Sequence, residues 1–209
     1  MVATCTEDLD IINRALLYLG EKHVISVSDS TNAAEEMNAA YYMTRDELIR
    51  SYIWECCRKE DTAAYLGEES AVWTGDRKYV YQVPSDCLGF ISFNDIYVGY
   101  SGTELVEERN PLWKIRGHKI YTTFKPPLKI EYKFRNEDAS SYDALFCKVF
   151  ALELAIVTAE RIKQSDTAIQ RLMQMKREAL ADALRAQAVE LPAIKKPTGN
   201  WLHSRQTGF

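Results

Sequence analysis

The chain has 209 residues, 46% of them hydrophobic, which suffices to bury a core without disulfides or a metal ion. It sets 26 bases against 30 acids for a formal net charge of −4. That balance argues against a general nucleic-acid binder, whose binding domain shows a strongly basic face.

Residues 1–64 hold 12 acids and 6 bases and read as helical. A first helix is predicted from about Glu7 to Leu19, with an apolar stripe of Leu9, Ile12, Leu16 and Leu19. Thr4 and Glu7 have capping-box spacing, and Gly20 is placed to end the helix. In the following loop Val24, Ile25 and Val27 are expected to tuck under a second helix that starts near Asn32. There Glu35 is expected to help satisfy the first amides. Ala33, Met37, Ala40, Tyr41, Leu48 and Ile49 suit its buried face, and Glu35, Glu36, Arg45, Asp46 and Glu47 its solvated one.

Residues 65–136 change period and hold 9 acids and 10 bases. Segments such as KYVYQV, GFISF, KIYTTF and LKIEYKF are rich in β-branched and aromatic residues and are separated by turn formers. In the last of them Leu128, Ile130, Tyr132 and Phe134 alternate with charged residues, the pattern of a half-buried antiparallel strand. Arg116-Gly117-His118 fits a tight hairpin.

The helical period returns over residues 137–190, with 9 acids and 7 bases. From Tyr142 apolar residues cover more than one face, which predicts a centrally placed helix. Ser165 or Asp166 caps a fourth helix bearing Ile169, Leu172, Met173, Leu180 and Leu184. Residues 191–209 hold three bases and no acid and read as an extended tail. The expected fold is therefore α+β: a helical bundle of about four helices from residues 1–64 and 137–190, with a small antiparallel β-unit inserted at 65–136.

Signals for chemistry are sparse. The histidines His23, His118 and His203 are far apart in sequence, and none neighbours a motif serine or cysteine. No Gly-rich phosphate loop and no metal-binding spacing is present, so no catalytic, cofactor or metal site is expected. The five cysteines (Cys5, Cys56, Cys57, Cys87, Cys147) lack C-x-x-C spacing and read as free thiols of a reducing compartment. No signal peptide is read in the first residues, and no apolar stretch reaches the roughly 18–20 residues of a membrane span. The acid pairs Glu35/Glu36 and Glu107/Glu108 are the only enzyme-like signal, and neighbouring residues of a helix point to different faces. Tyr52, Trp54, Tyr79, Tyr81 and Trp113 have the composition of a base-stacking platform but lack interleaved bases, which favours packing. Lys195, Lys196, Trp201, Arg205 and Phe209 combine charge with large apolar anchors and are the candidate partner-binding residues.

Read together, several spans resemble the head-to-tail adaptor, or tail tubular protein A, family of short-tailed, podovirus-like bacteriophages. The first span carries Asn13, Ala15, Leu16, Leu19-Gly20, Ile25-Ser26, Asp29, Tyr41 or Tyr42, Arg45-Asp46, Leu48, and Arg50 ahead of Trp54. The second carries Tyr81, Pro84, Asp86, Cys87 and Leu88, and a third runs from the strand Ile130–Phe134 into Ala144–Ala155. The resemblance covers about residues 8–185 and departs at Tyr52-Ile53, where relatives often carry His-Pro.

It implies a virion structural protein, not an enzyme, that needs no cofactor. Such subunits form a ring, expected to be dodecameric, between the portal protein and the tail nozzle protein. Genomic DNA passes through the ring without specific binding, and no membrane is involved. Assembly would take place in the host cytoplasm, with the protein ending in the tail or neck of the virion. The alternatives are an accessory peptidoglycan or polysaccharide hydrolase of the tail and, from a different class, a cytosolic DNA-binding regulator.

Overall fold

The computed structural model describes residues 7–26, 31–70, 75–98 and 112–190. Four helices and eight strands appear among them, and the strands form two four-stranded antiparallel sheets. The expected helical bundle with a small β-insert is not what the chain forms. The two sheets dominate the middle of the molecule and close over a core of their own.

Helix α1 is Asp8–Leu19 and α2 is Asn32–Ser51. The capping box of α1 belongs to Glu7 and Asp10, Glu7 N–H donating to Asp10 Oδ2 at 3.2 Å. Gly20 ends the helix at φ +70°, where a side chain would be strained. Thr31, not Glu35, caps α2, its Oγ1 accepting from Ala34 N–H at 3.3 Å. Between them Asn13 clamps Val24, accepting from its N–H at 2.8 Å and donating to its carbonyl at 3.0 Å. Val24 is buried as expected, but Ile25 is 90% exposed, and Val27 lies outside the described residues.

Two later helices complete that layer, α3 at Ala144–Lys163 and α4 at Asp166–Glu190. Asp143 caps α3 by accepting from the amides of Leu145 and Phe146. Helix α3 is central: α1, α2 and α4 all pack on it, while α4 touches no other helix extensively. The predicted stripe on α4 is only partly realised. Leu172 is buried, but Met173 is 44% exposed and Leu184 is also exposed.

The first sheet has the order β1 (Arg58–Ala63), β8 (Leu128–Phe134), β4 (Cys87–Phe93), β5 (Ile96–Tyr97). The second has the order β2 (Tyr65–Glu68), β3 (Tyr79–Gln82), β7 (Lys119–Thr122), β6 (Trp113–Arg116). Ala64 alone separates β1 from β2, so one continuous stretch of chain serves both sheets. The hairpin predicted at residues 116–118 joins β6 to β7, with Gly117 at φ +56°. Tyr79, Tyr81 and Ile120 from one sheet meet Phe93, Leu128, Ile130 and Tyr132 from the other. The ring centroids of Phe93 and Trp113 lie 5.0 Å apart across that core.

The physical reason for the correction sits largely in β1. Its sequence, RKEDTA, has no apolar alternation, because an edge strand gives up little area to the core. It pairs along its full length with β8, from Arg58 opposite Lys133 to Ala63 opposite Leu128. Once two sheets cover each other, the β half has no need of the helices to bury its apolar face. The second core, among the helices, holds Ile11, Leu16, Met37, Tyr41, Trp54, Phe146 and Phe150.

Candidate functional site

The two halves meet along the last turns of α2 and the end of β8, and polar groups dominate this seam. Arg45 was expected to be solvated but is only 4% exposed. Its Nη2 lies 3.0 Å from Asp46 Oδ1 and 3.5 Å from Glu137 Oε1, and its guanidinium sits 5.3 Å from the centre of the Tyr42 ring. Asp46 Oδ2 accepts from Arg135 Nε at 2.8 Å, so one carboxylate holds an arginine on each oxygen. Lys133 Nζ donates to the Arg50 carbonyl at 2.6 Å, and Arg50 donates to the Leu88 carbonyl. The buried Asn136 donates to the Cys56 carbonyl at 2.7 Å, and its own carbonyl accepts from Tyr142 OH at 2.7 Å. The seam fixes the helical layer on the sheets, and every group named in it has a partner.

On the outer face of the first sheet, a half-open concavity of about 330 Å³ is lined by Glu60, Asp61, Ser92, Asn94, Asp95, Lys129 and Glu131 among others. Glu131 is buried there. One of its oxygens accepts from Arg58 Nε, the other from Ser92 Oγ at 2.9 Å. Both oxygens of this carboxylate are thus held by side chains of the two neighbouring strands, which gives it a structural place in the sheet. Asp61 Oδ1 accepts from Thr62 N–H at 2.7 Å. A second concavity, of about 360 Å³, lies at the turn from α3 to α4 and is lined by Glu160, Gln164, Ser165, Asp166 and Ile169.

The residues singled out in the sequence are scattered. His23 is exposed after α1, and His118 is exposed at the β6–β7 turn in the other half of the molecule; His203 is outside the described residues. Glu36 faces Arg161 of α3 at 2.8 Å while Glu35 is exposed, and Glu107 and Glu108 are outside the described residues. The five aromatics divide between the cores. Trp54 packs on Phe146 among the helices with Tyr52 beside it, and Tyr79, Tyr81 and Trp113 belong to the β core. Lys195, Lys196, Trp201, Arg205 and Phe209 also lie outside the described residues.

Among the described residues no group of three or more His, Cys, Asp or Glu side chains is arranged to hold a metal ion. No described helix is long and apolar enough to cross a membrane. No family model and no curated protein matches this chain.

What the surface does carry is large apolar side chains on every helix. Leu17 of α1, Tyr42 and Met43 of α2, Val157 of α3, and Met173, Leu184 and Val189 of α4 are all exposed, Met43 at 70% and Val189 at 82%. Tyr42 and Met43 adjoin the Arg45 seam. Periodicity had flagged Met173 and Leu184 as apolar but placed them inside; Tyr42 and Met43 gave no such signal, being apolar residues off the predicted face.

Proposed function

We propose that this chain is a structural subunit that assembles with copies of itself into a ring joining the portal of a short-tailed phage to its tail nozzle. The observation that carries the reading is the contrast between interior and surface. Arg45 and Asp46 in the seam and Glu131 in the sheet concavity are tied to partners, whereas the four described helices all expose large apolar side chains. Where such side chains gather into one patch, they mark a surface that a partner covers. A closed ring uses two different faces of each subunit, and several helices with exposed apolar residues supply more than one. The resemblance of the ordered residues from Asn13 to Trp54 and from Tyr81 to Leu88 supports this choice of assembly. Residues 191–209, with Lys195, Lys196, Trp201, Arg205 and Phe209, are assigned to a neighbouring subunit or the portal, since their positive charge complements an acidic amino-terminal half.

Electron microscopy of the full chain mixed with the portal of the same phage tests the proposal, with a ring stacked on the portal as the expected image. Infectious particles assembled normally in the absence of this chain would refute it. Removal of residues 191–209 is expected to weaken stacking on the portal while leaving the folded monomer unchanged.

A further inference from the structure

The 3-10 turn Glu55–Cys57 that leads from α2 into β1 carries two adjacent cysteines whose sulfurs approach to 3.8 Å. They differ in access: Cys57 is buried in the helical core, and Cys56 is partly exposed beside it. We propose that Cys56 and Cys57 form a reactive dithiol oxidised by hydrogen peroxide, with Cys56 as the attacking thiol and Cys57 as the resolving one.

The environment separates their roles. The Cys57 S–H and the backbone N–H of Asp143 both face the Cys56 sulfur and pull its pKa below the ordinary thiol value, against the effect of burial. Donation to Cys56, together with burial, pushes the Cys57 thiol up, so it keeps its proton until it reacts. In the first step the Cys56 thiolate attacks one peroxide oxygen, the O–O bond breaks, and the departing oxygen leaves as water after taking a proton. Cys56 is then a sulfenic acid. In the second step the Cys57 sulfur attacks the Cys56 sulfur, the S–O bond breaks, and the hydroxyl leaves as a second water with the Cys57 proton. Two thiols lose one electron each, and one hydrogen peroxide is reduced to two waters.

Consecutive Cα atoms lie about 3.8 Å apart, whereas unstrained disulfides span about 4.4–6.8 Å. The product is therefore strained and readily reopened by cellular thiols. Closing the ring must also turn the peptide between the two residues. The Cys56 carbonyl of that peptide is the acceptor of the Asn136 amide, at 2.7 Å, so oxidation loosens a bond that ties the end of β8 to the turn.

The test uses the full-length wild-type protein treated with hydrogen peroxide, then denatured, alkylated and cleaved after Arg50 and Arg58. The peptide of residues 51–58 holds both cysteines and no others. It is expected to resist alkylation, weigh two hydrogens less than the reduced form, and become fully alkylated once dithiothreitol is added. The same peptide alkylated on both sulfurs after peroxide, or joined to another cysteine-containing peptide, would overturn the proposal. Adding dimedone with the peroxide is expected to divert the wild-type peptide to an adduct on Cys56; an adduct on Cys57 instead would reverse the assigned roles and refute them. In Cys57→Ser the adduct is expected to accumulate further.

Discussion

Helices α3 and α4 adjoin in sequence and pack on each other, yet they hold their places by different means. In α3, ten of twenty residues are buried, from Phe146 to Ala159, because three helices cover it. In α4, three of twenty-five are buried, Leu172, Ala179 and Ala183, all facing α3. The first helix is held by apolar area on all sides. The second rests on one face, where Ile169, Leu172, Met175 and Leu180 pack with Ala179 and Ala183, aided by an ion pair from Lys176 to Glu153. Met173, Leu184 and Val189 stand in solvent on this helix, and they are the side chains through which the proposed assembly would use it.

The largest effect that can break this comparison is at Phe146, which packs on Trp54, Tyr142 and Phe150. Phe146→Ala is expected to cost about 3–5 kcal/mol in urea unfolding, and a cost below about 1 kcal/mol would show that α3 is not the centre of the fold. Leu172→Ala should cost about 2–3 kcal/mol, near the lower end for such changes, since the one-sided contact can collapse into the gap.

The β half gives an independent reading through pH. Burial, followed by the neighbouring Tyr65 and Tyr79, pushes the Tyr81 phenol from its ordinary value near 10 up to about 12. A raised folded value means that its contribution to stability is whole below pH of about 10 and is lost as pH climbs toward 12. Denaturation midpoints across that window should fall in the wild type and fall less in Tyr81→Phe. Equal slopes would remove Tyr81 from the cause.

A smaller effect is expected at Tyr41, whose hydroxyl donates to Asp8 Oδ1 at 2.8 Å and joins α2 to α1. Tyr41→Phe should cost about 1.5 kcal/mol, measured the same way. The smallest change in stability, within about 0.5 kcal/mol, is expected for Leu184→Gln. That variant sharpens the comparison most, because the proposed ring should weaken in sedimentation or native mass measurements while the monomer stays folded. Unaltered assembly would remove this part of α4 from the interface.

The four helices and several strands could be read from residue order, but their arrangement could not. Gly20 stands at the end of α1, and the alternation from Leu128 to Phe134 reports which face of β8 is covered. What periodicity could not report was partnership. Arg45 looks solvated on a helical wheel and is buried only because Asp46 and Glu137 come to it from its own helix and from beyond β8. Glu131 occupies an outward position in its strand and is covered because Arg58 lies on the neighbouring one. The six residues of β1 carry no pattern at all, so the β half reads as a small insert starting at residue 65. The candidate surface was less legible still: exposure of Tyr42 and Met43 depends on which helices leave α2 uncovered, a property of the whole layer.

Ala64 leaves β1 and β2 as one unbroken stretch shared by both sheets. Neither sheet can slide past the other without dragging that stretch along its hydrogen-bonded neighbours, so the β half should resist shear as a single stiff block. A load applied at the β6–β7 tip would then be passed, with little give, through β8 and its grip on Arg50 and Asp46 into the helices.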